Sequence, residues 1–313
     1  MRSEFDFINY IKGRHELKVI GDDCAVLPKN TQSDQLFTVD LLIENIDFRL
    51  DWTTPALLGH KALAVSLSDI AAMGGTPKYA LLTLGIPQGL WKTSFLDEFY
   101  EGWHKLAKEF DVELIGGDIS RSPNDLIIDS FVVGEVPHQK AILRSGAKPG
   151  DLTFVTGELG GAALGLLLLE NGERLTNEGE DPLQRGLLRQ LKPYPQVIIG
   201  NTLMQKGLAA AAIDLSDGLS SDLAHICEAS GVGAMIDSSK IPLARGATFE
   251  MALNGGEDFE LLFTIPEERR SEALELGAVE IGRIVTLSSG IKLIDEKGQH
   301  DLDPKGFDHF AAR

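Results

Sequence analysis

Residues 54–75, TPALLGHKALAVSLSDIAAMGG, form the most strongly marked helix of the chain. Thr54 is a preferred N-cap residue, and Pro55 suits the first helical position because an N–H there would have no partner in the helix. The glycine pair at 74–75 is a strong stop signal. The sequence therefore predicts a helix that begins after Thr54 and ends at this pair.

The pair Ser68-Asp69 lies inside the apolar part of this helix, between Ala62 and Met73. A carboxylate that packs inward destabilises a protein unless it is paired or bound to a cation. We therefore interpret Asp69 as a functional residue, with a structural role as the alternative.

Acidic residues recur in short turns flanked by glycine or serine, and most of these turns follow an apolar run that is typical of a buried strand. A carboxylate just beyond such a strand points into a crevice, and an adjacent glycine lets a ligand approach the main chain. Several carboxylates that converge without His or Cys form a hard oxygen site, which suits Mg²⁺ and bound phosphates. The turns are Gly21-Asp22-Asp23, Gly116-Gly117-Asp118, Asp214-Leu215-Ser216-Asp217-Gly218 and Gly255-Gly256-Glu257-Asp258.

Each turn taken alone also has a plainer interpretation. Asp22 and Asp23 could form an ordinary turn, and Asp217 could cap a helix as well as bind a metal. The Gly-Gly-Asp turn at 116–118 follows a predicted strand at 113–115 and has the pattern of a phosphate-binding nest. Recurrence of the pattern in one chain favours the functional interpretation.

Composition limits the classes of partner. The 313 residues carry a formal net charge of −18, so binding to nucleic acid or to an anionic membrane is not expected. The two cysteines, Cys24 and Cys227, have no framework spacing, which indicates a reducing compartment and predicts a cytoplasmic location. The longest apolar run, residues 162–169, is too short to span a bilayer, and the N-terminus has no signal-peptide pattern.

The order of helix and strand patterns predicts an α+β protein with two domains. Strands and helices alternate from the N-terminus to about residue 136, and the pattern starts again at residue 151. Between them, residues 146–151 read GAKPGD, a composition typical of turns. We therefore predict domains at residues 1–145 and 146–313.

Several nucleotide-enzyme motifs are absent from the sequence. It contains no P-loop, no protein-kinase catalytic loop and no nucleophile elbow. Phosphate groups must then be held by metals, backbone amides and a few cations, of which Lys61 and Arg144 are the best placed. Direct phosphoryl transfer fits this inventory because it depends on positioning and charge stabilisation.

Six segments, together with a closing one, resemble the thiamine-monophosphate kinase family of the aminoimidazole-ribonucleotide synthetase superfamily. The resemblance implies two α+β domains, each a mixed sheet with helices packed on it. It also implies transfer of the γ-phosphoryl group of ATP to thiamine monophosphate, several Mg²⁺ ions and a homodimer that packs through its N-terminal domains. The segments are GDDCA at 21–25, KALAVSLSDIAAMG at 61–74, LIGGD at 114–118, RSGAKPG at 144–150, IDLSDGL at 213–219, GGEDFEL at 255–261 and GFDHF at 306–310.

The resemblance also assigns roles to individual residues. The metal ligands would be Asp23, Thr38, Val39 through its carbonyl, Asp40, Asp69, Asp118, Asp214 and Asp217. ATP would meet Tyr100, Gly117, Asp118, Arg144 and Ser216. The thiamine moiety would meet Asp47, Glu257 and Phe307. Asp47 stands where the family often has His, and no catalytic acid or base is assigned because the attacking phosphate oxygen is already ionised.

Rival functions share much of this pattern. Selenophosphate synthetase and the cyclo-ligase belong to the same superfamily, as does a hydrogenase-maturation protein, which would need a Cys-ending tail. Selenophosphate synthetase would need a reactive Cys or selenocysteine near the N-terminus. A non-catalytic Mg-nucleotide sensor is a different class, and such a protein would be expected to lose part of the carboxylate set.

Overall fold

The computed structural model describes residues 4–14, 19, 21–176 and 181–306. Its strands are β1 (Ala25–Pro28), β2 (Ser33–Ile43), β3 (Thr76–Pro87), β4 (Glu113–Ser122), β5 (Ile127–Pro137), β6 (Leu152–Val155), β7 (Ala211–Asp214), β8 (Val232–Asp237), β9 (Leu261–Ile265), β10 (Val279–Thr286), β11 (Ile291–Asp295) and β12 (Gly298–Asp301). Its α-helices are α1 (Glu4–Arg14), α2 (Pro55–Ala72), α3 (Gln88–Trp91), α4 (Phe95–Glu109), α5 (Gly161–Glu170), α6 (Pro182–Leu191), α7 (Val197–Gln205), α8 (Leu219–Ser230), α9 (Phe249–Asn254) and α10 (Arg270–Glu275).

Within the described residues, the strands form two mixed sheets. The first sheet has the order β1-β2-β5-β3-β4, with β3 and β4 parallel and the other neighbours antiparallel. The second has the order β12-β11-β8-β10-β6-β9-β7, with β8 and β11 parallel. Helices pack on both sheets, so the predicted α+β class with two mixed-sheet units is confirmed. The predicted boundary at residue 145 falls in the connection between β5 and β6 and stays a prediction.

Helix α2 lies between the two sheets. Thr54 caps it as the sequence predicts, since its hydroxyl accepts the Leu57 N–H, and Pro55 is its first residue. From Leu58 to Ala72 every residue except Asp69 is buried. The helix packs against α4 and α7, against β2 and β5 of the first sheet and against β7 of the second. A continuous apolar core therefore crosses from one sheet to the other around α2.

The structure differs from the sequence prediction at three elements. Strand β4 continues to Ser122, so the glycine pair at 116–117 lies within a strand rather than in a turn after one. Its residues were hard to assign because nearly all of them are exposed, which removes the alternation of buried and exposed side chains. The sequence predicts a first helix from Ser3 to Lys12 that stops at Gly13, whereas helix α1 continues through Gly13, which costs only about 1 kcal/mol in a helix. Helix α6 was not predicted.

No helix among the described residues has both the length and the apolar character that a membrane crossing requires.

Two glycines let α2 and α4 pack with their backbones in contact. A Cβ atom on Gly59 would lie 1.9 Å from the carbonyl oxygen of Phe99. In the reverse direction, a Cβ on Gly102 would lie 1.8 Å from the carbonyl oxygen of Ala56. Real Cβ atoms do not approach backbone oxygens so closely, so any larger residue would push the helices apart.

We expect Gly59→Ala to lower the free energy of unfolding by about 1–3 kcal/mol, as overpacking of a core usually does. Gly13→Ala is the matched control, since it lies in α1 with nothing within 4 Å of its added Cβ. That control should be neutral or slightly stabilising, because alanine favours helix more than glycine does. Urea unfolding followed by circular dichroism measures both, and equal stabilities would contradict the close packing.

Candidate active site

Helix α2 carries hydroxyl and carboxyl groups that contact carboxylates or hydroxyls of both sheets. Ser66 donates a hydrogen bond to Asp40 of β2 at 2.7 Å. Two residues further along, Ser68 donates to Asp214, the last residue of β7, also at 2.7 Å. Asp69 accepts a hydrogen bond from the hydroxyl of Thr38 on β2. The helix thus brings acidic residues of the two sheets to one place.

Asp23, Asp69 and Asp214, which we call the carboxylate triad, each place an oxygen within 4.8 Å of the other two. Asp23 precedes β1, Asp69 lies on α2 and Asp214 ends β7, so the triad joins both halves of the chain. The Oδ2 atom of Asp23 is buried without a hydrogen-bond partner in the structure. A buried, unpartnered carboxylate oxygen beside two further carboxylates fits a divalent cation with oxygen ligands.

Burial and mutual repulsion shift the pKa of each triad carboxyl upward. Burial raises the pKa of Asp214 from the usual 3.8 to about 8, and Asp23 adds to the shift. Burial, followed by the charges of Asp40 and Asp214, raises the pKa of Asp69 well above its usual value. Burial also raises the pKa of Asp23, although Arg144 opposes the shift. The metal-free triad therefore favours protonated forms, and a bound cation would remove that preference.

Arg144 is the cationic residue that contacts the triad directly. Its guanidinium donates to Asp23 at 2.8 Å, and its backbone N–H donates to Asp22 at 2.7 Å. Burial lowers the pKa of Arg144, but the charge and hydrogen bond of Asp23, together with the charges of Asp214 and Asp69, raise it above the usual value. The side chain is therefore charged and fixed, as expected for a residue that meets a nucleotide phosphate.

A cavity of about 950 Å³, which we call the cleft, opens beside these residues. Asp40 lines it and, through its charge, also raises the pKa of Asp69, which places the triad next to the cleft. Four other predicted site residues line the cleft: Asp47, Ser216, Asp217 and Glu257. Phe48 and Trp52 line it as well, together with leucines of α5. The cleft thus has an acidic part and an apolar, aromatic part.

Asp217 is not the helix cap that the sequence suggested as one possibility. Helix α8 begins at Leu219, and its N-cap is Gly218, whose φ of +117° suits glycine. Asp222 caps this turn instead, because its carboxylate accepts hydrogen bonds from the N–H groups of Asp217 and Gly218 at 3.2 and 3.0 Å. Asp217 itself lines the cleft.

Lys61 pairs with a carboxylate of the site. Its side chain is 4% exposed and its amino group lies 2.8 Å from a carboxylate oxygen of Glu257. The same amino group donates to the backbone carbonyl of Gln190 at 3.3 Å. The ammonium group of Lys61 is thus satisfied by protein partners, as burial of a charge requires, which gives no support to the prediction that it is well placed for phosphate.

Three predicted site residues lie elsewhere in the described chain. Tyr100 is on α4, and burial raises the pKa of its hydroxyl. Gly117 and Asp118 are on β4, the edge strand of the first sheet. Asp40 and Gly117 share one row across the sheet, three strands apart, roughly 14 Å by normal strand spacing. None of the three lines the cleft, and the predicted nest at 116–118 is wrong because these residues are extended.

Two further predictions concern Val39 and Phe307. The Val39 side chain is 58% exposed, on the face of the sheet opposite its buried neighbour Thr38. Only its backbone can take part in a site on the α2 side, as predicted. Phe307 lies outside the described residues, but the described chain reaches the cleft at Gly306.

The sequence interpretation missed Ser66, Gln190 and Asp222. Ser66 could have been found from the sequence, since it is one of two serines that precede Asp69 on the same apolar helix. Asp222 could also have been found, because it lies three residues beyond the first residue of its helix, where a carboxylate can reach back to the turn. Gln190 had no signal, because its partners are distant in sequence and helix α6 was not predicted.

The triad predicts that divalent cations stabilise the protein most at alkaline pH. Its raised pKa values mean that the folded state holds protons that the unfolded chain has released, so metal-free stability falls as pH rises from about 4 to about 8. A cation binds the ionised carboxylates and offsets this loss. At one hundred times its dissociation constant, Mg²⁺ should add about 2.7 kcal/mol.

Melting temperatures with Mg²⁺ and with chelator, at pH 6 and pH 8, measure this effect. The increment should be larger at pH 8 and should disappear in Asp69→Asn, which should keep its fold because a buried carboxylate is removed rather than created. Asp111→Asn is the control, since Asp111 is exposed and its φ of +55° suits Asn. An equal increment in Asp69→Asn would show that the cation binds elsewhere.

Comparison with family models and known proteins gives consistent matches over both halves. The model for the N-terminal domain of AIR synthase related proteins matches residues 21–136. The model for the C-terminal domain of the same proteins matches residues 148–290.

The chain is similar over nearly its whole length to two curated bacterial proteins. The thiamine-monophosphate kinase of Salmonella typhimurium is 38% identical over 308 residues, which cover 94% of this chain and 92% of the relative. The thiamine-monophosphate kinase of Bacillus subtilis is 38% identical over 328 residues, with 98% and 99% covered.

A solved structure described as AaThiL complexed with AMPPCP and TMP has the same fold. It matches with a TM-score of 0.88 at 36% identity and covers 98% of this chain and 97% of that one.

Proposed function

This chain belongs to the thiamine-monophosphate kinase family, and we propose that it transfers the γ-phosphoryl group of ATP to thiamine monophosphate. The products are thiamine diphosphate and ADP, and the reaction is the last step of thiamine diphosphate biosynthesis. The observation that carries the proposal is the carboxylate triad beside a cleft of about 950 Å³, within the usual size of a small-molecule site.

Charge repulsion is the main obstacle to this reaction. The donor and the acceptor are both phosphates, and two unit charges 4 Å apart repel by about 4 kcal/mol at an effective dielectric constant near 20. The carboxylates of the site would add to that repulsion. We propose that the triad, together with Thr38, Asp40, Asp217 and the carbonyl of Val39, would hold several Mg²⁺ ions, whose charge would offset this repulsion. Asp118, three strands away on β4, stays a proposal as a further ligand.

The residues of the chain supply orientation rather than proton transfer. Arg144, fixed by Asp22 and Asp23, is placed to pair with a phosphate of ATP. Ser216 lines the cleft on the same turn as Asp217. The attacking phosphate oxygen is already ionised near neutral pH, so no side chain is required as a general base. Tyr100, Gly117 and Asp118 stay proposals for ATP contacts from the N-terminal sheet.

The cleft beyond the triad suits the thiamine part of the acceptor. Phe48 and Trp52 provide aromatic and apolar surface for its rings, and Asp47 and Glu257 provide carboxylates. The Asp47 carboxylate accepts a hydrogen bond from the N–H of Ile43 at 2.7 Å, which fixes it at the end of β2. We propose that Phe307 contributes to the same region, because the chain enters the cleft at Gly306.

The cysteines favour this function over selenophosphate synthesis. Cys24 is 2% exposed, and burial with the nearby carboxylates raises the pKa of its thiol well above the usual value. Such a thiol is a poor nucleophile. The carboxylate set is also whole, which argues against a sensor without catalytic activity.

Wild-type protein should convert ATP and thiamine monophosphate into thiamine diphosphate only when divalent cations are present. Asp69→Asn should lower turnover by a factor of about 10³ or more, because the loss of preorganised charge stabilisation typically has effects of that size. Chromatographic detection of thiamine diphosphate measures both. Asp111→Asn is the control and should keep full turnover; product formation in excess chelator would contradict the metal role.

We also propose that the protein is a homodimer that pairs through the outer face of its first sheet. The face turned away from α2 carries Val39 (58% exposed), Leu41 (54%) and Tyr79 (39%). Phe37 and Phe131 lie on the same face with ring centroids 6.1 Å apart. A contiguous apolar face of this kind on a central sheet is typical of an interface between subunits.

Phe131→Arg should therefore convert the dimer into a monomer, because it places a charge at the middle strand of this face. Ile198→Arg is the matched control, since Ile198 is 68% exposed on α7, in the other half of the chain. Light scattering coupled to size exclusion gives the mass of each variant. A dimeric Phe131→Arg variant that melts normally would exclude this face as the interface.

We propose a cytoplasmic location, in keeping with the two free cysteines.

A further inference from the structure

Glu257, the residue proposed to meet the thiamine moiety, is held by two side chains outside the predicted site. Lys61 of α2 lies 2.8 Å from one of its carboxylate oxygens. Gln190 of α6 donates a side-chain hydrogen bond to the other oxygen. The Lys61 ammonium also donates to the backbone carbonyl of Gln190, so the three residues form a closed network.

Lys61 and Gln190 are more deeply buried than the Glu257 side chain that they hold. The side chains of Lys61 and Glu257 are 4% and 31% exposed, and Gln190 is buried. Only Glu257 and Gln190 of the three line the cleft. Lys61 is therefore unlike a surface lysine: its ammonium has been removed from water, and Glu257 is its ionic partner.

The backbone around Glu257 is constrained as well. Glu257 and Phe259 have φ angles of +66° and +49°, which residues other than glycine adopt rarely. Their N–H groups donate to the carbonyls of Ser216 and Leu215 at 2.8 and 2.9 Å. The carboxylate is thus anchored from the main chain and from both of its oxygens.

Lys61 changes how Glu257 can recognise a ligand. Because the ammonium already balances the carboxylate charge, Glu257 contributes little net attraction for a cation. An ionised carboxylate can accept about four hydrogen bonds, of which Lys61 and Gln190 supply two. The remaining capacity on the cleft side suits a hydrogen-bond donor such as an amino group on a heteroaromatic ring.

We propose that Lys61 and Gln190 are positioning residues that orient the Glu257 carboxylate so that it accepts a hydrogen bond from the aminopyrimidine of the acceptor. This inference rests on the proposed function, since it assigns that acceptor to the cleft. It gives Glu257 the role of a hydrogen-bond acceptor rather than that of a counter-charge to the thiazolium ring of the acceptor.

The test compares Lys61→Met, Lys61→Arg, Glu257→Gln and the double variant Lys61→Met/Glu257→Gln with the wild type. Lys61→Met should raise the KM for thiamine monophosphate by about ten-fold or more, the range of a lost charge-assisted hydrogen bond, with the KM for ATP and kcat nearly unchanged. Lys61→Arg should recover part of the loss, because it keeps the charge. The double variant should be no worse than Glu257→Gln alone, because Lys61 acts through Glu257.

Lys240→Met is the matched control. Lys240 forms an ion pair with Glu280 at 3.1 Å on the surface, and neither residue lines the cleft. Its removal should leave both KM values unchanged. Melting curves of every variant separate an effect on recognition from an effect on folding. If Lys61→Met does not fold, Gln190→Leu carries the test, with the same selective rise in the KM for thiamine monophosphate expected.

The outcomes separate this inference from the proposed function. Wild-type protein that forms no thiamine diphosphate would overturn the proposed function, and the inference with it. Active wild-type protein with equal rises in both KM values, a fall in kcat alone, or additive effects in the double variant would overturn the inference and leave the function intact.

Discussion

The site depends on one constraint, which is that α2, buried from Leu58 to Ala72 except at Asp69, must place polar groups where the two sheets meet. Helix α2 is enclosed by both sheets and two other helices, so any hydroxyl or carboxyl on it needs a partner. Ser66 and Ser68 find theirs in carboxylates of opposite sheets, and Asp69 finds Thr38. Through these hydrogen bonds, the position of α2 in the core determines the spacing of the acidic residues. The close contact of Gly59 with α4 helps to fix that position.

The local features of the site could be predicted from the sequence, and the features that depend on distant contacts could not. Asp69 in an apolar helix and Asp214 at the end of a buried strand are visible in the order of residues alone. The structure of β4 was not, because an edge strand with nearly all of its residues exposed shows no alternation. Helix α6 was missed as well, since Gly186 weakens its pattern. In the structure α6 packs closely on α5 because Gly165 of α5 has no Cβ, which would lie 2.1 Å from the carbonyl oxygen of Gly186.

Arg144 and Lys61, two cationic residues of the site, differ in how deeply they are buried, and this difference suggests different roles for them. Arg144 keeps its guanidinium beside Asp23 with its side chain 21% exposed, so it can serve both the carboxylate and an incoming phosphate. Lys61 is almost fully enclosed, and a single ammonium group with no water must be satisfied within the protein. Sequence alone ranks the two alike, because both are cations near acidic segments. Their depth in the fold separates the residue that we propose as a phosphate ligand from the residue that we propose as a support for Glu257.

The crowding of carboxylates in the triad also has a consequence for the fate of the protein in a cell. A chain whose native state gains stability from a bound cation spends more time unfolded when that cation is scarce, and unfolded chains are degraded by proteases. Magnesium starvation would then reduce the amount of this protein as well as the activity of each molecule. If the triad binds Mg²⁺ as we propose, supply of the ion and abundance of the protein would be coupled through three aspartates.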